Sequence, residues 1–207
     1  KLFLNGGNMN LRLYKSLPTK SDTLKTTSDT LDLAFNELDA KNIKWKIIEE
    51  ESGLLNTVKL GRLTAKGNQL YLSGEKVHLK SINLFDTDAS VVFGKKKNAP
   101  KPAISGTKSS PNNWQVLVDK VMFDDDNIAY QDLSQPIQKR GIDYNTLKIS
   151  KLKLNSERFF YSENKISGWI YSGSFKEKSG FQLQNLQTDF AYSNRQTFLR
   201  KFLFKTP

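Results

Sequence analysis

The residues of this chain that could do chemistry are few. A single histidine, His78, stands in "EKVHLK" between Val77 and Leu79, and the 207 residues include no cysteine. Alternation along a strand puts His78 on the face opposite its two apolar neighbours, where it meets solvent. One histidine without cysteine cannot assemble the usual zinc sets, a Ser/His/Asp triad or a Cys/His pair. Paired carboxylates, as in glycosidases, remain open. The obvious acidic cluster, Asp124-Asp125-Asp126, lacks the alternating ligand spacing and closing Glu of a calcium loop and reads as a turn that favours Asp. "GLLNTVKLG" and "GNQLYLSG" place no glycine pair before a helix, and no Gly-Lys-Ser/Thr occurs. No active-site constellation forms, so the expectation is a non-enzyme with no metal and no cofactor.

Charge offers a different chemistry. Thirty-two Lys and Arg against 21 Asp and Glu give +11 at pH 7. Such a surface is a solvated shell or an attractor of anionic headgroups or nucleic acid. "KWK" at 44–46 and "RFFY" at 158–161 mix cations with aromatics, as single-strand binders do. However, Trp45 shares strand parity with Ile43, and Tyr161 with Phe159, so these rings belong with the aliphatics. No RNP-like motif is present. Nucleic acid is therefore not the expected partner, and single-strand binding stays a minor alternative.

Few groups compete for the interior, and they are of a particular kind. Hydrophobic residues make up 37% of the chain, mean hydropathy is −0.55, and 13 Phe, 7 Tyr and 3 Trp are among them. That mix favours strands over helices and thin sheets over a thick core. The apolar positions also repeat. Leu60, Leu63, Ala65, Leu70 and Leu72 fall at offsets i, i+3, i+5, i+10 and i+12. The same offsets recur at Leu79, Ile82, Leu84, Ala89 and Val91, and at Val118, Val121, Phe123, Ile128 and Tyr130. Ile149, Leu152, Leu154, Phe159 and Tyr161 make a fourth copy. Shortened copies run through Phe35, Leu38, Ala40, Ile43 and Trp45, and through Leu183, Leu186, Thr188, Phe190 and Tyr192.

On a helix these offsets scatter around the axis, whereas on strands the pairs two apart share a face. The three-residue step would flip faces and needs a bulge or corner. Between i+5 and i+10 stand "KGNQ", "FDTD", "DDDN" and "NSER", three of them rich in turn-tolerant residues. Each unit reads as two short strands joined by a tight turn or sharp bend. The fold class is all-β, an antiparallel meander of repeated hairpins.

Residues 15–30 read as a Ser/Thr/Lys linker-like loop, and 94–113, with a lysine run and three of the six prolines, as a long mobile loop. Spacing between units varies from roughly 20 to 40 residues, which excludes a β-helix of fixed short coil. The sequence as a whole, 1–207, is expected to be one β-repeat segment of a longer chain. No secretory signal, transit peptide or apolar run of spanning length occurs.

"GIDYNTLKISKLKLN" at 141–155 and "ISGWIYSGSFKEKSGFQLQNLQTDFAYS" at 166–193 resemble the TamB-like translocation and assembly proteins of the Bacteroidota, in the AsmA-like superfamily. "SFKEKSGF" at 174–181 with "LQTDFAY" at 186–192 is the most specific part, and "LNGGNMNLRLY" at 4–14 also looks like that family. The resemblance implies a curved, folded-over sheet, a taco or groove with an apolar inner face. It implies an interior segment of a periplasmic protein whose full length is anchored in the inner membrane. Phospholipid transport to the outer membrane and outer-membrane protein assembly are the implied roles. Phospholipid is then the partner, along with an outer-membrane barrel protein met through a C-terminal part absent from this sequence.

A sheet with one apolar face must cover it, because each large side chain left wet forfeits about 1.5–3 kcal/mol. Protein can supply the cover, as in a closed sandwich, or acyl chains can, since they need no hydrogen bonds. For the groove, the candidate lining is Leu38, Ile43, Trp45, Leu63, Leu70, Leu72, Ile82, Leu84, Val121, Phe123, Ile128, Tyr130, Leu152, Leu154, Phe159, Tyr161, Leu186, Phe190 and Tyr192. The alternative is a structural docking module that binds unfolded outer-membrane protein strands along its edges.

Overall fold

Alternating β-branched and aromatic residues form strands throughout, and a computed structural model describes residues 1–14, 36–71, 75–94, 114–138 and 140–207. The strands are β1 (Leu2–Leu13), β2 (Glu37–Glu49), β3 (Leu54–Tyr71), β4 (Lys76–Phe85), β5 (Asp88–Phe93) and β6 (Gln115–Asp132), followed by β7 (Thr146–Ser162), β8 (Lys165–Glu177), β9 (Gln182–Leu183), β10 (Asn185–Ser193) and β11 (Thr197–Lys205). All belong to one sheet in the order β1-β2-β3-β4-β6-β7-β8-β10-β11, with β5 continuing the line of β4, and β9 also pairing β8. The protein is all-β. The expected linker at 15–30 and the loop at 94–113 lie outside the described residues, except for Gly94, whose N–H donates to the Gly53 carbonyl at 3.0 Å.

The meander is not antiparallel throughout. β1 pairs β2 in parallel, and so do β4 and β5 with β6. At these joints 23 and 21 residues separate the strands (Leu13 to Glu37, Phe93 to Gln115). Connections that long can carry the chain back to the starting end of the sheet, which a two-residue hairpin cannot. The remaining neighbours are antiparallel.

Of the two expected alternatives within the repeat units, tight turn or sharp bend, the structure mostly takes the bend, in continuous strands. "DDDN" lies inside β6 and "NSER" inside β7. Only "FDTD" interrupts a strand, between β4 and β5. The bends line up across the sheet. Gly6, Asn42, Asp86, Asp125 and Lys151 all have positive φ, from 50° to 75°. Gly6 and Asn42 are the residues skipped between the Asn5–Lys41 and Gly7–Ile43 pairs. The left-handed conformation costs an ordinary residue about 1 kcal/mol, and Gly, Asn and Asp tolerate it best. A second line of irregularity crosses β3 around Gly67 and β7 at Arg158, whose φ is 52°. Each line inserts one residue per strand and so returns the apolar side chains to the same face after a step of three.

Because one layer makes the whole sheet, burial is shallow. Among the described residues, the buried apolar side chains are Ala40, Leu60, Ala65, Leu79, Val118, Val121 and Leu183. Leu79, Val118 and Val121 form the centre, flanked by Val77, Ile82, Val116, Phe123 and Phe159.

Candidate functional site

Cross-strand registers assemble the apolar face row by row. Ala40, Leu63, Leu84, Phe123 and Leu154 are successive partners across five strands. The next row runs Leu38, Ala65, Ile82, Val121, Ser156, Ile170, Thr188. Beyond the second line of bends come Leu79, Val118 and Phe159. These rows enclose a hollow of about 500 Å³. Its lining is Leu63, Ile82, Leu84, Val116, Val118, Val121, Phe123, Leu154, Ser156, Phe159, Ile170 and Phe190. No charged side chain stands in this wall.

Small residues make the space. Gly168 lets the Phe190 ring close in, since a Cβ there would lie 3.3 Å from that ring, and Gly173 accepts Leu186 in the same way at 3.4 Å. Ser156 is buried, and its hydroxyl is without a hydrogen-bond partner. Among the described residues, β1 and β11 do not pair with each other and no second sheet faces the hollow. Pairing between the two outermost strands therefore does not close the sheet over the hollow.

Of the nineteen candidate residues, eight line the hollow: Leu63, Ile82, Leu84, Val121, Phe123, Leu154, Phe159 and Phe190. Leu38 sits beside it, opposite Ala65. Trp45 and Ile128 belong to a row beyond the first line of bends, with Val58, Ala89 and Ile149. Ile43 stands opposite Leu60, and the ring of Tyr130 meets that of Phe93 at 5.8 Å. Leu152 faces Asp126, and Leu186 packs on Gly173. Tyr161 and Tyr192 share a row through Ile166, near the strand ends. Leu70 pairs through its backbone with Val77, its side chain being undescribed, and Leu72 lies outside the described residues.

The pattern of five overlooked a sixth inner position. Gly67, Thr87, Asp126 and Ser156 all lie within the i+5 to i+10 interval, and all are buried. They escape notice because they are small or polar, but counting by two from one of the two flanking apolar residues would have found each of them. Asp126, 1% exposed, accepts the Thr87 N–H at 2.9 Å through Oδ1, while Oδ2 is unpartnered. Desolvation holds its carboxyl above the usual range, partly offset by hydrogen bonds from the backbone of Thr87 and Asp124.

The other chemical candidates are satisfied locally. His78 is exposed on the opposite face, with Nε2 2.9 Å from Asp119 Oδ1. Asp124 accepts Lys153 Nζ at 2.6 Å. Among the described residues, no three His, Cys, Asp or Glu side chains group as a metal site would require, and no helix is long and apolar enough to cross a membrane. No protein-family model matches the sequence, and no curated protein matches it.

Proposed function

We propose that this chain is a non-catalytic groove segment of a periplasmic bridge, holding the acyl chains of phospholipid on their way to the outer membrane. The observation that carries the reading is the open hollow of about 500 Å³ whose wall is apolar apart from one serine hydroxyl. Such a wall selects for hydrocarbon without base-like or sugar-like contacts. Acyl chains covering Phe123, Leu154 and Phe159 would recover the transfer free energy that these side chains forfeit in water. The TamB-like resemblance adds the envelope setting and a part in outer-membrane protein assembly.

The test is lipid extraction from the purified chain, followed by mass spectrometry, with crosslinking by a photoactivatable fatty acid. Wild type should carry phospholipid, and Leu154→Asp or Phe159→Lys should carry none. Ser156→Trp, which fills the trough without adding charge, should also exclude lipid while keeping its strand circular dichroism. Lipid-free wild type that also fails to crosslink overturns the reading.

A docking module remains the second reading, favoured by the edge strand β1. Leu2, Leu4, Met9, Leu11 and Leu13 are all 43–49% exposed there. Edges of this kind accept an added strand. Capture of unfolded outer-membrane barrel strands in the absence of lipid supports this alternative.

A further inference from the structure

The face of the sheet opposite the groove carries a second hollow, of about 280 Å³, beyond the first line of bends. Unlike the first, it has charged side chains in its wall, Lys59, Asp88 and Lys148, beside apolar ones such as Ile128 and Ile149. One cross-strand row reads Lys46, Thr57, Ser90, Ala129, Lys148, with a lysine at each end and three small residues between. The adjacent row places Lys44 directly opposite Lys59, then Asp88 and Asn127. Like charges directly opposite on neighbouring strands destabilise a sheet. An acid at either position would have removed the repulsion.

Asp88, in the wall of the hollow and opposite Lys59 on its other side, makes no ion pair with it within 4 Å. Asp88 accepts the Asn127 amide at 2.8 Å. Among the described residues, the ammonium groups of Lys44, Lys46, Lys59 and Lys148 make no ion pair within 4 Å, the one carboxylate contact being that of Glu177 with the Lys148 backbone N–H at 3.3 Å. The floor between the lysines offers the hydroxyls of Thr57 and Ser90 and the methyl group of Ala129. No aromatic ring stands in the hollow to stack a base. Cations converging on a hydroxyl-lined recess match an oxyanion in charge and in hydrogen bonding.

We propose that this hollow is a binding site for a phosphate group, with Lys59 and Lys148 closing on the oxygens from two sides and Thr57 and Ser90 donating from the floor. Lys44 and Lys46 add attraction from the neighbouring strand. The site is independent of what fills the groove, because it lies on the other face. A soluble phosphate and a phospholipid headgroup share this chemistry.

Two arms separate the sources: titration with inorganic phosphate, read at the amides of Thr57, Ser90 and Ala129 by NMR, and flotation with phosphatidylglycerol or phosphatidylcholine vesicles. Saturable shifts at those amides support the site and assign it to soluble phosphate. Binding to phosphatidylglycerol but not phosphatidylcholine supports it and assigns it to headgroups. In whichever arm binds, Lys59→Gln and Lys148→Gln should each weaken binding about fivefold, the factor corresponding to about 1 kcal/mol per lysine. Lys76→Gln, away from the hollow, should leave binding unchanged. Lys44→Glu should weaken anion binding while raising Tm in phosphate-free buffer. Absence of binding in both arms, equal binding to the two vesicle types without phosphate shifts, or an equal loss in all three Lys→Gln variants overturns the proposal.

Discussion

The backbone N–H of Thr87 donates to Oδ1 of Asp126 at 2.9 Å across the corner where β4 gives way to β5. Two further bonds close the same corner: Asp86 N–H to the Asp124 carbonyl at 3.2 Å, and Asn127 N–H to the Thr87 carbonyl at 2.8 Å. A carboxylate thus occupies a buried inner-face position in a sheet whose other inner residues are mostly apolar. It stands where the interrupted strand has lost its regular ladder.

That placement sets a pH dependence. Burial raises the Asp126 pKa above its unfolded value, so the folded state holds the proton more tightly. Its contribution to stability is present in full below the unfolded carboxyl range and is lost as pH rises through the raised folded value. Asp126→Asn keeps an oxygen for the Thr87 N–H and removes the charge. Urea unfolding at a series of pH values from mildly acidic to neutral should show the variant gaining on wild type as pH rises. A constant difference between the two would contradict this account.

Asp39 behaves in the opposite sense. It is buried on the outer face and takes two bonds from Arg62, Nε to Oδ1 at 3.1 Å and a terminal nitrogen to Oδ2 at 3.0 Å. The guanidinium holds its carboxyl below the usual range. The pair stabilises at pH values above the unfolded carboxyl range, and that stability fades as pH falls through the lowered one. Arg62→Met should therefore lower Tm at neutral pH, with the gap narrowing in acid.

Gly61 is required by space rather than by dihedral freedom. A Cβ there would lie 2.5 Å from the Asp86 carbonyl oxygen and 2.6 Å from that of Phe85. Both obstacles are backbone at the corner and cannot swing aside. Gly61→Ala should cost about 2 kcal/mol in chemical denaturation, within the range of overpacked core sites. A neutral result would mean that the corner opens easily.

Beside the hollow, Leu79→Ala removes a buried side chain from the cluster it forms with Val118 and Val121. The expected loss is about 2 kcal/mol, the low end for Leu→Ala, because an open single layer surrounds the new space with fewer neighbours. Calorimetry reads it directly, and a loss above about 4 kcal/mol would contradict the shallow packing.

The strand character and the apolar face were legible in the sequence, since a repeated spacing of apolar residues is a local property that a period of two makes visible. The spacing even located a bend: the three-residue step from Ile149 to Leu152 contains a positive-φ residue, Lys151. What the spacing could not reveal was that "DDDN" and "NSER" lie inside unbroken strands, because the residues that favour a turn are also those that tolerate a single left-handed bend. Nor could it reveal the parallel joints, which depend on where distant strands find partners. Asp126 and Ser156 were passed over as inner residues because their polarity suggested solvent, although a period of two from Ile128 and Leu154 reaches them, and the register with Leu152 and Val121 places them inside. Thus the sequence alone determined which side chains seek cover, through a pattern carried by each strand. Tertiary structure decided which of them share one hollow and which lysines crowd on the reverse face, because only cross-strand pairing brings residues far apart in the chain to the same level.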